Sequence, residues 1–478
     1  MQQNILSVHS EIGELKRLLV HSPDKGLGKV IPSKAQDWLF EDIVHLKSIR
    51  QNEYDYYTKL LLYFLDPEKI KNNIADIDDP KNDRAFYKPG HANFHASEKV
   101  LEIEWLLASI LKDAELKHQL IAAVAAIEGC SYDLQEALKK YSPAELASTF
   151  LSGVAINNEL VFPPIPNFIF TRDIGIVIKN HLILNKPAKV ARKREALFAT
   201  YLFHHHPFFK SSSQFIIELS QKDPITLLNE KDNDSKVTLE GGDIMMIAPQ
   251  HVIIGVSERT SMSAAIQLTE ILFSKALVEK ISIVKIPKKR DYMHIDTIFT
   301  QVKKDTWVIL GNFSKDSKQD DEHNQISNYF KNTNKETVTI WKFERSHQNN
   351  PTIINDLEAL LNDISIEDFG CKNGATFIYS GNNEFPYNAR EQWTDSCNLL
   401  ALREGVVLGY DRNDKTVEAF KDKGFSIVHV KDLLNDFENG KNHPSNLINT
   451  LILMPSAELS RARGGFHCMS MPLERNSI

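Results

Sequence analysis

The sequence predicts an α/β fold in which similar units are repeated around an axis. Four stretches, at residues 174–186, 244–256, 297–310 and 398–410, each show two strand-like segments separated by a short polar turn. A segment with helical spacing follows the first, the second and the fourth stretch. Recurrent units of a hairpin and a helix indicate a radially repeated architecture rather than one open sheet.

The turns of the four hairpins are rich in polar residues and glycine or proline: Lys179-Asn180, Pro249-Gln250, Lys303-Lys304-Asp305 and Arg403-Glu404-Gly405. The following helices are expected to begin near Val190, Ser263 and Val417. In the second of these helices, Ala265, Leu268 and Leu272 fall on one face, as in an amphipathic helix. Residues 312–392 follow the pattern least, and we expect them to elaborate the unit between the third and fourth hairpins.

A segment with helical periodicity, from Ser97 to Leu151, precedes the first hairpin. Ser142-Pro143-Ala144-Glu145 has the form of a capping box, with proline at the first helical position. No strand-like stretch interrupts the segment. We therefore expect a small all-helical domain at residues 96–152, which separates a first α/β part at 1–95 from the remainder at 153–478.

The composition excludes several classes of protein. The 478 residues carry 56 basic and 63 acidic side chains, a net charge of −7, so binding to nucleic acid is not expected. Four cysteines without metal-ligand spacing predict reduced thiols rather than a disulfide framework or a zinc site. The N-terminus has no signal-peptide pattern, and the apolar runs are too short to span a membrane. We therefore expect a soluble, cytoplasmic protein that does not bind membranes.

Three aspartates occupy equivalent positions in the repeat. Asp173, Asp243 and Asp296 each come directly before one of the first three hairpins. Equivalent positions of units arranged around an axis lie at the same end of the assembly, so these carboxylates should converge. Because clustered acids are costly without a cation or hydrogen-bond donors among them, the repeat predicts an acid-lined site for a cation.

Cys468 is the candidate nucleophile. It follows Gly464-Gly465, which allow close approach of the backbone, and Arg461 and Arg463 add positive charge nearby. A cysteine nucleophile needs a base that another group orients. A buried thiol in a terminal loop is the alternative interpretation of the sequence alone.

His294 and Glu240 are candidates for that base and its partner. His294 lies two residues before Asp296, and Glu240 shares a Gly-Gly turn with Asp243. A structural histidine and a turn with solvated acids are the alternative interpretations. The tract 204–206 contains three adjacent histidines, which do not share a face, and no metal site is predicted there.

Taken together, eight ordered motifs resemble the arginine deiminase family of the guanidine-modifying, amidinotransferase-like superfamily. The matching runs are residues 166–173, 191–195, 239–243, 258–261, 293–300, 390–393, 409–412 and 463–469. The resemblance implies a five-bladed, pseudo-symmetric α/β propeller of ββαβ units with an inserted helical domain. It also implies hydrolysis of L-arginine to L-citrulline and ammonia through a covalent amidino (thiouronium) intermediate, without a metal or organic cofactor.

The resemblance further implies the roles of individual residues. Cys468 matches the nucleophile, His294 the general acid and base, and Glu240 the carboxylate beside that histidine. Asp173 and Asp296 match the pair that binds the guanidinium. Asn167, Arg192 and Arg259 match the groups that hold the carboxylate end of the substrate, and Arg463 matches an arginine near the mouth of the pocket. Asp243 completes the expected substrate-binding set.

This chemistry predicts an effect on the thiol. Carboxylates around Cys468 should raise its pKa in the empty enzyme, and a cationic substrate should promote formation of the thiolate. His294 as imidazolium can protonate the departing ammonia, and turnover would then favour mildly acidic pH.

The chain departs from the family pattern at Ala462, at Phe466-His467 and at Met471, and it carries additional length near 66–95 and 312–392. Citrulline, agmatine or a methylated arginine are alternative substrates, although two arginines favour a substrate with an α-carboxylate. A catalytically silent arginine-binding protein on the same fold is an alternative from another class. The sequence leaves the oligomeric state open, a homo-oligomer included.

Overall fold

The structure is a computed structural model that describes residues 5–35, 37–78, 86–220, 236–314 and 336–478. Its strands are β1 (Leu15–Val20), β2 (Val100–Glu102), β3 (Gly175–Ile178), β4 (His181–Leu184), β5 (Ile216–Ile217), β6 (Ile244–Ala248), β7 (His251–Val256), β8 (Lys280–Lys285), β9 (Phe299–Lys303), β10 (Thr306–Ile309), β11 (Thr339–Glu344), β12 (Thr352–Ile354), β13 (Thr376–Tyr379), β14 (Leu400–Arg403), β15 (Val406–Tyr410), β16 (Ser426–His429), β17 (Thr450–Met454) and β18 (Met471–Arg475).

Helices lie between the strands and before the first hairpin. They are α1 (Asp55–Leu65), α2 (Ile74–Asp78), α3 (Ile103–Ile110), α4 (Ala114–Glu128), α5 (Tyr132–Lys139), α6 (Pro143–Ser152), α7 (Lys193–His205), α8 (Met262–Ser274), α9 (Leu357–Asp363), α10 (Tyr387–Trp393), α11 (Asp414–Asp422) and α12 (Val430–Glu438), with a single turn at Leu46–Ser48. Within the described ranges, no helix is long and apolar enough to cross a bilayer.

The four predicted hairpins are confirmed. The strand pairs β3–β4, β6–β7, β9–β10 and β14–β15 are all antiparallel. Both strands of the second hairpin are buried along their whole length, as expected for strands covered on both faces. The predicted helices after the first, second and fourth hairpins are α7, α8 and α11.

Among the described residues the strands form five separate sheets. Four contain a predicted hairpin, and its second strand pairs in parallel with a further strand: β4 with β5, β7 with β8, β10 with β13 and β15 with β17. The fifth sheet repeats this arrangement with the two ends of the chain, because β18 is antiparallel to β1 and β1 is parallel to β2.

The segment before the first hairpin is not wholly helical, which corrects the sequence prediction. Helices α3 to α6 are present, and the capping box forms as expected between Ser142 and Glu145. However, Val100–Glu102 forms strand β2, which pairs with residues 18–20 of β1. A strand of three residues is too short to show an alternating pattern, and only its distant partner stabilises it.

Residues 312–392 also differ from the expectation. Strand β11 pairs with β8 and extends the sheet of the second hairpin, whereas β13 pairs with β10 of the third. The segment therefore contributes to two sheets instead of one unit between the third and fourth hairpins. The two stretches of additional length lie near residues 66–95 and 312–392. Within them, residues 79–85 and 315–335 lie outside the described residues.

Candidate active site

Three short turns bring the predicted aspartates together. The 3-10 turns Thr171–Ile174, Gly241–Asp243 and Ile295–Thr297 each lead into the first strand of a hairpin. The glycine pair in the middle turn permits their contact. A Cβ on Gly241 would lie 2.1 Å from the carbonyl oxygen of Arg172, and one on Gly242 would lie 2.7 Å from Nδ1 of His294. Any side chain at either position would therefore force the turns apart.

His294 lies buried between two carboxylates. Its Nε2 is 3.0 Å from Oε2 of Glu240, and its Nδ1 is 3.8 Å from Oδ1 of Asp173. Burial alone would lower the pKa of His294, but the charges of Asp173, Glu240 and Asp243 and the hydrogen bond with Glu240 raise it to about 10. The imidazolium therefore persists through neutral pH. Because His294 is already protonated at neutral pH, it gives no reason to expect that turnover is fastest at mildly acidic pH.

Cys468 lies in the loop before β18, next to Asp296. Its backbone N–H donates to Oδ1 of Asn398 at 2.9 Å, and its Sγ is 3.4 Å from Oδ2 of Asp296. Burial and the charges of Asp296 and Asp173 raise the pKa of the thiol well above its usual value. The direction of this shift is the one expected from the sequence.

Each of the two predicted guanidinium-binding aspartates retains one unused oxygen. Oδ1 of Asp173 and Oδ1 of Asp296 are buried and accept no hydrogen bond from the described residues. The second oxygen of Asp173 accepts from Arg192 and that of Asp296 from His467, at 2.8 and 2.9 Å respectively. A buried acceptor without a partner is unfavourable, so both oxygens are suited to receive donors from a ligand.

Arg192 contacts the acids directly. Its Nη1 donates to Asp173 and to Glu240 at 2.8 and 2.9 Å, and its Nε donates to Glu195 at 2.8 Å. Nη2 is buried and has no hydrogen-bond partner among the described residues. Arg259 is a second cation nearby, with Nη1 3.8 Å from Oε1 of Glu240.

Asp173, Glu240 and His294 also have the composition and spacing of a metal site. The guanidinium of Arg192, however, donates to both of these carboxylates. A protein cation thus supplies the positive charge that the acid cluster requires.

Asp243 stabilises the turns. Its Oδ2 accepts from the hydroxyl of Ser257 at 2.6 Å, and its Oδ1 accepts from the backbone N–H of Ile295 at 3.0 Å. Burial raises the pKa of this carboxyl to about 6, and His294 and these hydrogen bonds oppose the shift. With both oxygens bound by the protein, Asp243 connects the second and third turns.

Seven of the ten predicted site residues line one cavity: Asn167, Asp173, Arg192, Arg259, His294, Arg463 and Cys468. Asn167 donates from Nδ2 to the carbonyl of Trp38 at 2.8 Å. Glu240, Asp243 and Asp296 are fully buried around the cavity. The structure therefore brings all ten predicted residues into one region.

Two residues at the cavity, Trp393 and Asp395, were not singled out by the sequence. The guanidinium carbon of Arg463 lies 3.8 Å from the ring centroid of Trp393. Asp395 lines the cavity and accepts from the backbone N–H of Gly464 at 2.8 Å. Burial raises the pKa of Asp395 to about 6 despite the charge of Arg463. Both residues lie in or beside the motif at 390–393, the only sequence signal that could have indicated them.

A thiol, a histidine paired with a carboxylate and several acids around one cavity form an arrangement of the kind found in enzyme active sites. Residues 39–475 match the family model described as arginine deiminase. The chain therefore belongs to the arginine deiminase family, and this family places it among hydrolases.

Similar proteins span the whole chain. An arginine deiminase of Borrelia garinii subsp. bavariensis is 28% identical, with 99% of each chain covered. An arginine deiminase of Bacillus cereus is 29% identical, again with 99% of each covered. Among solved structures, an amidinotransferase of the saxitoxin biosynthetic pathway from Microseira wollei aligns with a TM-score of 0.48 at 13% identity and covers 99% of this chain and 98% of its own.

Proposed function

We propose that this protein hydrolyses L-arginine to L-citrulline and ammonia, with Cys468 as the nucleophile and His294 as the general acid and base. One observation carries the proposal: Cys468, His294 and Asp173 line one cavity, Asp296 is buried directly against Cys468, and each of the two aspartates has one carboxylate oxygen without a hydrogen-bond partner among the described residues. The two oxygens match the paired N–H donors of a guanidinium group. The names of the similar proteins agree with this substrate.

The reaction would proceed in two halves. Binding of the cation between Asp173 and Asp296 offsets the negative charges that keep the Cys468 thiol protonated, so the thiol releases its proton to solvent and the thiolate attacks the guanidinium carbon. The imidazolium of His294 gives its proton to the departing ammonia, which leaves a thiouronium on sulfur. The neutral imidazole then takes a proton from water as the water attacks the thiouronium carbon. The C–S bond breaks, the thiolate leaves, and the added hydroxyl group releases its proton to solvent as the carbonyl group of citrulline forms.

Glu240 would stabilise His294 in its charged form. Glu240 lies 3.0 Å from Nε2 of the imidazole, and hydrogen bonds and the charges of Arg192, Arg259 and His294 hold its own pKa well below the usual range despite burial. Arg192 would have two roles. Nη1 orients Asp173 and Glu240, while the unpartnered Nη2 remains for the α-carboxylate of the substrate.

We also propose that the five sheets are the blades of a propeller, with helices α3 to α6 as an insertion between β2 and β3. Two features support this arrangement. All five sheets contain an antiparallel pair followed by a parallel strand, and three equivalent turns meet at one site.

The function is tested with purified protein and a panel of L-arginine, L-citrulline, agmatine and a methylated arginine. We expect citrulline and ammonia in equal amounts from L-arginine and no carbon dioxide. Carbon dioxide release, or a preference for citrulline or the methylated substrate, would assign the chain to a related activity instead.

Arg259→Ala is expected to weaken binding of L-arginine selectively. Loss of a charge-assisted contact with the α-carboxylate should raise KM about 10- to 100-fold. Agmatine has no carboxylate, so its KM should change little. Lys189→Ala is the matched control, because Lys189 pairs with Glu258 and lies outside the cavity lining. An equal rise in KM for both substrates would contradict the assignment of Arg259.

Glu240→Gln is expected to move the alkaline limb of the pH profile. The hydrogen bond and charge of Glu240 contribute to the raised pKa of His294, so removal of the charge lowers that pKa. His294 must be protonated in the free enzyme, and kcat/KM should therefore begin to fall at a lower pH than in the wild type. An unchanged alkaline limb would show that His294 is not the group that sets it.

A further inference from the structure

His467, which directly precedes Cys468, has no part in the steps above, yet both nitrogens of its buried ring face carboxylates. Nδ1 lies 2.9 Å from Oδ2 of Asp296, and Nε2 lies 3.3 Å from Oε2 of Glu11. Nδ1 is the hydrogen-bond donor to Asp296 whenever it carries its proton. The side chain thus connects an acid of the cavity to an acid from the N-terminal segment.

Glu11 is itself held by Arg172. The two Nη atoms of Arg172 donate to the two oxygens of Glu11, each at 3.3 Å. The backbone N–H of Arg172 donates to the carbonyl of Cys468 at 2.9 Å. A chain of hydrogen bonds therefore connects Arg172 through Glu11 and His467 to Asp296. The backbone hydrogen bond from Arg172 also connects this chain to Cys468.

The contact with His467 determines which oxygen of Asp296 is available. Oδ2 is shared by Nδ1 of His467 and by Sγ of Cys468 at 3.4 Å, whereas Oδ1 has no hydrogen-bond partner among the described residues. Without His467, the carboxylate could rotate and bond to the thiol with either oxygen. A carboxylate that is free to rotate binds a planar guanidinium less well than a fixed one.

We propose that His467 is a positioning residue that fixes the carboxylate of Asp296 through Oδ2 and so reserves Oδ1 for the substrate guanidinium. The inference rests on the proposed function, because it concerns the same substrate. In this proposal His467 supports Asp296, the acid beside the nucleophile, and His467 itself does not contact the substrate.

The electrostatics agree with this role. Burial alone would raise the pKa of Asp296, but the hydrogen bond and charge of His467, together with the charges of His294 and Arg172, hold it below its usual value. Cys468 and Asp395 also interact electrostatically with Asp296. Loss of His467 should therefore let Asp296 take up a proton at higher pH.

Three variants separate the two contacts of His467. His467→Asn keeps a donor at the position of Nδ1, His467→Gln moves the donor toward Glu11, and His467→Ala has neither. We expect kcat/KM for L-arginine to fall about 10- to 100-fold in the Ala and Gln variants, the range typical for loss of a hydrogen-bonded support. His467→Asn should recover most of this loss. The acid limb of kcat/KM should also move to higher pH in His467→Ala, and by less in His467→Asn, which keeps the hydrogen bond to Asp296 but not the charge.

Binding in the Cys468→Ser background makes the test independent of turnover. There, the His467→Ala and His467→Gln variants should bind L-arginine more weakly than His467→Asn by calorimetry. Equal activity and equal affinity of the Asn and Ala variants, with an unmoved acid limb, would overturn the proposal. If the wild type forms no citrulline while this order of affinities holds, the proposed function fails and the positioning role stands.

Discussion

Cys468→Ser is expected to abolish citrulline formation while the protein still binds L-arginine. A serine hydroxyl in the same cavity has no thiolate form, and the carboxylates that already raise the pKa of the thiol disfavour ionisation of a hydroxyl even more. Loss of a catalytic nucleophile typically lowers kcat by about four to six orders of magnitude. The measurement is citrulline formation over a long incubation, with arginine affinity determined by calorimetry.

Cys371→Ser is the matched control for this variant. Cys371 is a half-buried free cysteine that does not line the cavity, so its replacement should leave activity unchanged. Cys468→Ser with activity within about tenfold of the wild type would contradict the role of Cys468. A wild-type chain that binds arginine but forms no citrulline would instead support the silent binding protein.

His294→Gln is expected to slow both halves of the reaction. Glutamine can form hydrogen bonds to Asp173 and Glu240, but it cannot give a proton to ammonia or take one from water. Loss of a general acid and base lowers kcat by about 10²- to 10⁴-fold. Single-turnover kinetics should show slow ammonia release and also slow citrulline release.

His118→Gln is a suitable control because His118 is exposed on helix α4. His294→Gln activity within about tenfold of the wild type would contradict the role of His294. A variant that releases ammonia at the wild-type rate and loses only the second half would limit His294 to activation of water.

The repeat was predictable because each hairpin has the two-residue period of a strand and a short polar turn. The meeting of Asp173, Asp243 and Asp296 followed from their equivalent positions in that repeat, and the structure confirms it. Strand β2 was not predictable, because its three residues depend on β1, about eighty residues earlier in the chain. Strand β11 was not predictable for the same reason, because it follows the third hairpin in the chain but pairs with β8 in the sheet of the second hairpin.

Local sequence could indicate which side chains carry chemistry, but it could not indicate which of them pair. Arg192 was expected at the carboxylate end of the substrate, and the structure shows that it also contacts Asp173 and Glu240. Asp243 was expected at the substrate, and its oxygens bind Ser257 and Ile295 instead. His467 looked like a change beside the nucleophile, whereas its ring bridges acids 171 and 456 positions away in the chain. Such contacts arise only when distant turns come together.

Acid quenching of the wild-type enzyme during turnover of L-arginine, followed by mass spectrometry of its peptides, tests the central claim most directly. We predict that the peptide containing Cys468 gains the mass of arginine less ammonia, and that this adduct forms and decays at rates compatible with kcat. Citrulline production without any adduct on Cys468, or an adduct on another residue, would contradict the proposed mechanism.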